Sequence, residues 1–319
     1  MLLSRVADSL YWGARYLERG QDTARIVRSF TELVIDLPTS VLSSWEPLLA
    51  ITGTRMAFDQ RYDAVDEMSV VRHLVADTAN PGSVASCVSS ARENLRTTRE
   101  VFPREAWQTV NDLHLYVGAN ATGGVERRSR ARFLGRVIAD VQQLDGVMTA
   151  TMNRDEAYEL WRLGESIERA DMTTRVVGVR ALALLAEGWA QIPDDSATVA
   201  EVHDDVQWMG LLRSVSALQM YQRVTRGPID GGRAVRFLLL EPQFPRSVAS
   251  CAVRIREALT RLPRTEQTLP SVDRLDSVLA GLSARADDGA SLDAAMDEVQ
   301  LALATVSDAV DVAFVRADW

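Results

Sequence analysis

Two stretches of the chain set a carboxylate beside a guanidinium and then repeat the arrangement. Residues 16–25 read YLERGQDTAR and residues 166–175 read SIERADMTTR, so Glu18-Arg19, Thr23 and Arg25 recur 150 positions later as Glu168-Arg169, Thr173 and Arg175. A glutamate flanked by arginines has two uses. Its carboxylate can meet a substrate, a metal or a partner while the arginine forks grip an acidic group, because a guanidinium presents paired donors that match a carboxylate or phosphate. Alternatively the charges serve one another. They can pair along an exposed helix stripe for about 0.2–0.5 kcal/mol each, or form a buried network that fixes the register of packed helices. Repetition does not decide between the two, since a pseudo-symmetric interface also needs its contacts twice.

A general base in amide chemistry is the catalytic form of the first use, with Glu18 or Glu168 as the base. Such a carboxylate needs a pKa moved towards neutrality by burial or by a like charge. Flanking arginines push it the other way, which favours binding over catalysis. The candidate binding set is Arg15, Glu18, Arg19, Arg25, Glu168, Arg169 and Arg175, joined by Arg92, Glu93 and Asn94 of the stretch AREN at 91–94. Asn inside a helix competes for the backbone, so Asn94 is expected to hold a specific structural hydrogen bond, as is Asn111, four residues after Trp107.

Other chemistry is thinly represented. All 35 basic residues are arginine, which removes any lysine nucleophile, Schiff base or P-loop lysine. Cys87 and Cys251 have no histidine nearby in sequence and read as small buried residues. His73, His114 and His203 show no metal-ligand spacing, so neither a metal nor a cofactor is expected. There is no glycine-rich nucleotide loop and no G-x-S-x-G elbow.

The elements that must carry the charged stretches are helices. On a wheel of 100° per residue, Leu3, Val6, Leu10, Ala14, Leu17, Ala24 and Val27 fill a wide apolar arc. Arg15, Glu18, Asp22 and Arg25 fall in one narrow stripe with Arg19 at its edge. Glu165, Glu168 and Arg175 occupy the same stripe of the second stretch, with Arg169 at the edge. An arc this wide belongs to a central helix packed on most sides, and the stripe then faces a sliver of solvent or an internal polar cleft. Helices are expected over 3–35, 39–51, 65–78, 84–101, 103–118, 126–150, from a cap at Asn153 or Asp155 to 186, and over 203–225, 230–240, 246–262, 270–283 and 291–315. The glycine-rich run at 118–124 reads as a loop, and no alternating strand pattern is present.

The repeat extends beyond the charged stretches. SWEPLL (44–49) matches QWMGLL (207–212), VRHL (71–74) matches VRFL (235–238), and SVASC recurs identically at 83–87 and 247–251, each followed by R-E-x-L. The order is collinear, and the growing offset places an insertion near 187–198. The expected architecture is therefore all-α: one helical bundle built from two diverged, pseudo-twofold repeats, 1–150 and 151–319. A net charge of −9 and pI near 5.0 argue against nucleic acid. The lack of any run of about 18 apolar residues argues against a membrane span, and two cysteines with no secretory leader point to the cytoplasm.

The opening LSRVADSLYWGARYLERGQDTAR (3–25) resembles the start of the bacterial alpha-E family. So do Asn80-Pro81-x-Ser83, Ala91-Arg92-Glu93-Asn94-x-Arg96, Trp107-x-x-x-Asn111 and the run from Leu163 to Arg175, LGESIERADMTTR. The chain departs from the usual pattern at Gly13-Ala14, Gly20 and Glu165. The resemblance implies a helical domain that partners a circularly permuted ATP-grasp ligase and a transglutaminase-like cysteine peptidase, encoded alongside or fused, in a system that makes or trims an amide-linked peptide. It implies that Glu18 is the family's glutamate and Glu168 its mate. The expected role is a non-catalytic accessory or scaffold subunit that docks the ligase or its peptide through a Glu/Arg-lined cleft; the alternative is an enzyme with Glu18 or Glu168 as general base. Oligomeric state stays open, a homo-oligomer included.

Overall fold

The computed structural model describes residues 3–36, 44–181, 197–282 and 289–315. The insertion expected at 187–198 lies almost wholly outside them, as does the side chain of His203. The described residues form helices and connecting turns, with no strand among them, and none of these helices is long and apolar enough to cross a membrane. In chain order they are α1 (Ser4–Asp36), α2 (Glu46–Thr52), α3 (Arg55–Asp59), α4 (Glu67–Val75), α5 (Val84–Arg96), α6 (Arg104–Gly124), α7 (Arg127–Thr151), α8 (Glu156–Val176), α9 (Ala197–Ser214), α10 (Leu218–Thr225), α11 (Gly231–Leu240), α12 (Val248–Arg261), α13 (Thr265–Leu282) and α14 (Gly289–Val310). π turns at Val177–Ala181 and Asp311–Val315 extend α8 and α14.

Helices α1 and α8 form the axis of the molecule. Each is buried on nearly every side, α1 without interruption from Gly20 to Val27 and α8 from Ala157 to Ala170 apart from Arg162. α1 packs on α8, α5, α7 and α9, while α8 packs on α1, α12 and α14. The outer helices then pair in sequence order, α5 with α6, α6 with α7, α12 with α13 and α13 with α14. Polar side chains pin the layers. Gln21 donates to the Ile138 carbonyl of α7 at 3.1 Å, Ser29 to the Gly210 carbonyl of α9 at 2.7 Å, and Thr173 to the Arg246 carbonyl ahead of α12 at 3.0 Å.

The two identical SVASC segments behave alike. Ser83 and Ser247 each cap their helix by accepting from the backbone three residues on, at 3.1 Å in both cases. Cys87 and Cys251 each turn the thiol towards a proline carbonyl, at 3.6 and 3.7 Å. An N-cap of this kind is worth about 1 kcal/mol. Asp155 caps α8 through the backbone N–H groups of Ala157 and Tyr158.

Several expectations about helix bounds are corrected, among them that over 84–101, where α5 stops at Arg96. The run at 118–124 is the last two turns of α6, not a loop. Each glycine there costs the helix about 1 kcal/mol, but Val117 and Ala121 are buried in the core, and the close approach of α7 makes use of the glycine at the end: a Cβ on Gly124 would lie 2.6 Å from the Phe133 ring. The single helix expected over 203–225 is two, because Ser216 adopts a left-handed φ of 56° and breaks the hydrogen-bond ladder between α9 and α10. The helix expected from 270 begins at Thr265, with Pro270 inside it.

Candidate functional site

The two charged stretches meet at the α1–α8 contact. The helices run in the same direction: Tyr11 faces Gly164, Arg15 reaches Glu168 and Glu18 reaches Arg169, the numbers rising together. A Cβ on Gly164 would sit 2.3 Å from the Tyr11 carbonyl oxygen. Only glycine permits backbones this close, and the closeness brings each helix's arginine to the other's glutamate. Arg19 grips Glu168 with Nε on Oε1 and Nη2 on Oε2, the latter at 2.9 Å. Arg169 grips Glu18 in the same two-pronged way, both contacts 3.0 Å. The exchange is reciprocal, and both carboxylates are essentially solvent-free, at 3% and 1% exposed.

The remaining partners differ on the two sides. Glu168 takes a further donor from Arg15 at 2.9 Å. Glu18 takes one from Arg246 at 2.8 Å, and Arg246 also bonds Asp22, which accepts in addition from Arg25 at 3.0 Å. Arg169 reaches back to Glu165, and Glu165 accepts from Arg162 at 2.9 Å. Arg246 stands immediately before SVASC, where the first copy of that segment has Gly82.

Electrostatics follows from these partners. Burial alone would raise the Glu18 carboxyl, but the Arg169 and Arg246 guanidiniums outweigh it and hold Glu18 far below the usual carboxylate range. Burial acts on Glu168 in the same way, and Arg19 and Arg15 likewise hold it down. Neither is a proton acceptor near neutral pH. Two other carboxyls move upward: burial and the charge on Glu18 push Asp22 up to about 6, and burial together with Glu165 pushes Asp145 up to about 6. Arg25 moves down to about 10 through burial and the neighbouring Arg246.

The stripes on α1 and α8 do not face one common recess. Glu18, Arg25 and Arg169 line a polar recess of about 140 Å³ walled by α7, with Asp145, Glu165 and Arg246. Glu168, Arg19 and Arg175 line a groove of about 330 Å³ elsewhere, floored by the Gly53–Thr54 turn and the Pro81–Gly82 turn. Arg15 and Arg19 border a further groove of about 250 Å³ against α14. Arg175 is paired with Asp171 at 2.8 Å. Arg92, Glu93 and Asn94 join neither side. Arg92 bonds Asn111 at 3.2 Å and lies over the Trp107 ring, Glu93 is exposed between Arg92 and Arg96, and Asn94 donates to the Ser90 carbonyl at 3.0 Å. The structural hydrogen bonds expected of Asn94 and Asn111 are thus present.

The family model for Alpha-E, a predicted alpha-helical domain with a conserved ER motif, matches residues 2–315. The chain belongs to the Alpha-E family. In this member the Glu-Arg dipeptides of α1 and α8 are the reciprocal pairs just described. Curated relatives include the uncharacterized protein Mb2597 of Mycobacterium bovis and the uncharacterized proteins MT2643 and Rv2567 of Mycobacterium tuberculosis. Each is 24% identical over 285 residues, covering 81% of this chain and 30% of the relative. The Alpha-E chain thus spans under a third of the length of the curated relatives it matches. No solved structure matches it.

Sequence reasoning missed Arg246 and Asp145 as members of the site. The contrast between Arg246 and Gly82 ahead of otherwise identical segments is a signal that singles out the arginine. Asp145 carries no local signal; only the antiparallel packing of α7 along α1, fixed by the bond from Gln21 to Ile138, brings it beside Glu165.

Proposed function

We propose that this Alpha-E chain is a non-catalytic helical accessory subunit of an ATP-grasp peptide or amide ligase system with a transglutaminase-like peptidase partner, working in the cytoplasm. It docks the ligase or its peptide through the polar surfaces on either side of the α1–α8 contact. The observation that carries this reading is the double occupancy of both motif glutamates by guanidiniums. A carboxylate that is buried, doubly bonded and held ionised is a structural clamp rather than a proton shuttle. The clamp makes the α1–α8 pair a rigid platform, and the recess and grooves beside it are the surfaces left for a partner.

In the same reading the chain descends from one doubled helical unit, 1–150 and 151–319. The reciprocal Glu-Arg exchange, the matched serine caps and the matched thiol-to-proline contacts support this. The curated relatives continue well beyond the matched stretch, which leaves room in them for a fused partner. The test is co-purification. The tagged chain, co-expressed with the circularly permuted ATP-grasp protein encoded beside it, is expected to co-elute with it, and the ligase is expected to form a new amide product, read by mass spectrometry, only when the pair is intact. Two folded proteins that elute separately at micromolar concentration would remove the proposal.

A further inference from the structure

The recess beside Glu18 is polar at both ends, and the two ends leave different groups unpartnered. Its α1 wall is the stripe Ala14, Leu17, Glu18, Gln21, Arg25, which at 1.5 Å per residue extends over roughly 16 Å of helix. At the Arg25 end, the three guanidiniums of Arg25, Arg169 and Arg246 share the carboxylates of Glu18 and Asp22. Asp22 accepts from two arginines through the same oxygen, Oδ1, and its other oxygen has no partner. Arg25 and Arg246 are 7% and 8% exposed, and Nε of each is buried without a hydrogen-bond partner. Arg169 also bonds Glu165, so the charge at this end is largely balanced, and what it offers a ligand is the two unpartnered guanidinium nitrogens.

The Ala14 end has the opposite character. Asp145 and Glu165 lie together there; Arg162 bonds Glu165 at 2.9 Å and lies 3.9 Å from Asp145, and Arg169 reaches Glu165 from the other end. Oδ1 of Asp145 is buried without a hydrogen-bond partner, while the side chain as a whole is half-exposed and forms the mouth with Gln142. Burial, and after it the neighbouring Glu165, push Asp145 upward. Buried polar atoms left without a partner are costly, and a recess with unpartnered guanidinium nitrogens at one end and an unpartnered carboxylate oxygen at the other is complementary to a ligand with both charges.

We infer that this recess binds a small zwitterion, an amino acid or dipeptide, with its carboxylate towards Arg25 and Arg246 and its ammonium towards Asp145 and Glu165. A carboxylate at the first end would take donors from the guanidinium forks after a small rotation of Arg25 or Arg246. An ammonium at the second would satisfy the free oxygen of Asp145. This deepens the reading of the recess as a binding surface and does not depend on which ligase is the partner.

The test is binding to the full chain, followed by calorimetry and ligand-observed NMR, with alanine and Gly-Gly as zwitterions and acetate and methylammonium as single-charge controls. Saturable binding of a zwitterion is expected, with each control weaker by at least about tenfold, the loss that goes with one charged contact. Alanine against Gly-Gly separates the amino acid from the dipeptide. Asp145→Asn, at the mouth and therefore compatible with folding (checked by its circular dichroism melt), is expected to weaken the zwitterion by about tenfold and to leave acetate unchanged. No saturable binding of either zwitterion, controls that bind as well as the zwitterions, or an Asp145→Asn variant that binds like the wild type would each overturn the inference. Because co-purification with the ligase is measured separately, loss of zwitterion binding with the ligase still bound would remove this inference alone.

Discussion

Replacing Glu18 by Gln changes one atom and removes one charge, and the structure says what that costs. Oε1 of Glu18 receives Arg169 Nε and Arg246 Nη1, and Oε2 receives Arg169 Nη2. Glutamine offers one acceptor oxygen. In its better orientation the amide oxygen keeps the first two donors as weaker neutral-acceptor bonds, and its NH2 is driven against Arg169 Nη2, a donor facing a donor. Two guanidiniums, each about nine-tenths buried, lose the counter-charge between them. Breaking a buried pair by neutralising one partner costs about 3–5 kcal/mol. Glu168→Gln is milder. Its arginines are less enclosed, Arg19 at 29% and Arg15 at 11% exposed, so water takes part of the charge and the expected loss is about 1.5–3 kcal/mol. Urea unfolding reads both through the shift in midpoint at unchanged slope. The reasoning is refuted if Glu18→Gln lies within about 0.5 kcal/mol of the wild type, the range of an ordinary surface substitution, or if Glu168→Gln proves the more damaging.

Three further outcomes follow from the geometry. Gly164→Ala places a methyl group 2.3 Å from a backbone oxygen that no rotamer change can move, so α1 and α8 must separate at a cost of at least about 1–3 kcal/mol, read by the thermal midpoint; an unchanged midpoint contradicts the close contact. Burial pushes Cys87 up to about 12 and Cys251 up to about 11, so a thiol-alkylating reagent at pH 8 is expected to leave the native protein unmodified and to label both residues in denaturant; rapid native labelling in intact-mass spectra would be contrary. The two kinds of carboxyl act oppositely with pH. Glu18, held low, contributes stability that is present above its ordinary value of 4.5 and lost as the pH falls through its folded value. Asp145, raised, contributes stability that is present below its ordinary 3.8 and lost as the pH rises through about 6. Asp145→Asn should therefore gain on the wild type between pH 4 and pH 7 in urea midpoints, and a difference independent of pH would contradict the shift.

The long apolar arcs and the Asp155 cap of α8 were readable in the sequence because helix periodicity and capping are local. So was the centrality of α1 and α8, since an arc that wide leaves little of the helix for solvent. The C-terminal end of α6 was not readable: its glycines signal a turn, and only the packing of Val117, Ala121 and Phe133 keeps them helical. In the site, the motif marked Glu18, Arg19, Glu168 and Arg169 as a set, but not that each glutamate would be held by the other helix's arginine. That depends on the parallel course of α1 and α8 and on the absence of a side chain at Gly164, which are properties of the packing. Arg92 to Asn94 resembled site residues by their polar types, yet Arg92 turns to Asn111 and Trp107 of α6, Glu93 is exposed, and Asn94 bonds the Ser90 carbonyl of its own helix.

The crossed pairs also tie the fate of the N-terminal half to that of the C-terminal half. Among the described residues Glu18 takes its guanidinium bonds from Arg169 and Arg246, and Glu168 from Arg15 and Arg19. A chain severed between α8 and α9 would keep Glu18 matched to Arg169 yet part it from Arg246, while a cut ahead of α8 strands both glutamates at once. Fragments from the second cut should be inert when made singly and should recover a native spectrum only on mixing, each acting as the other's missing counter-ion.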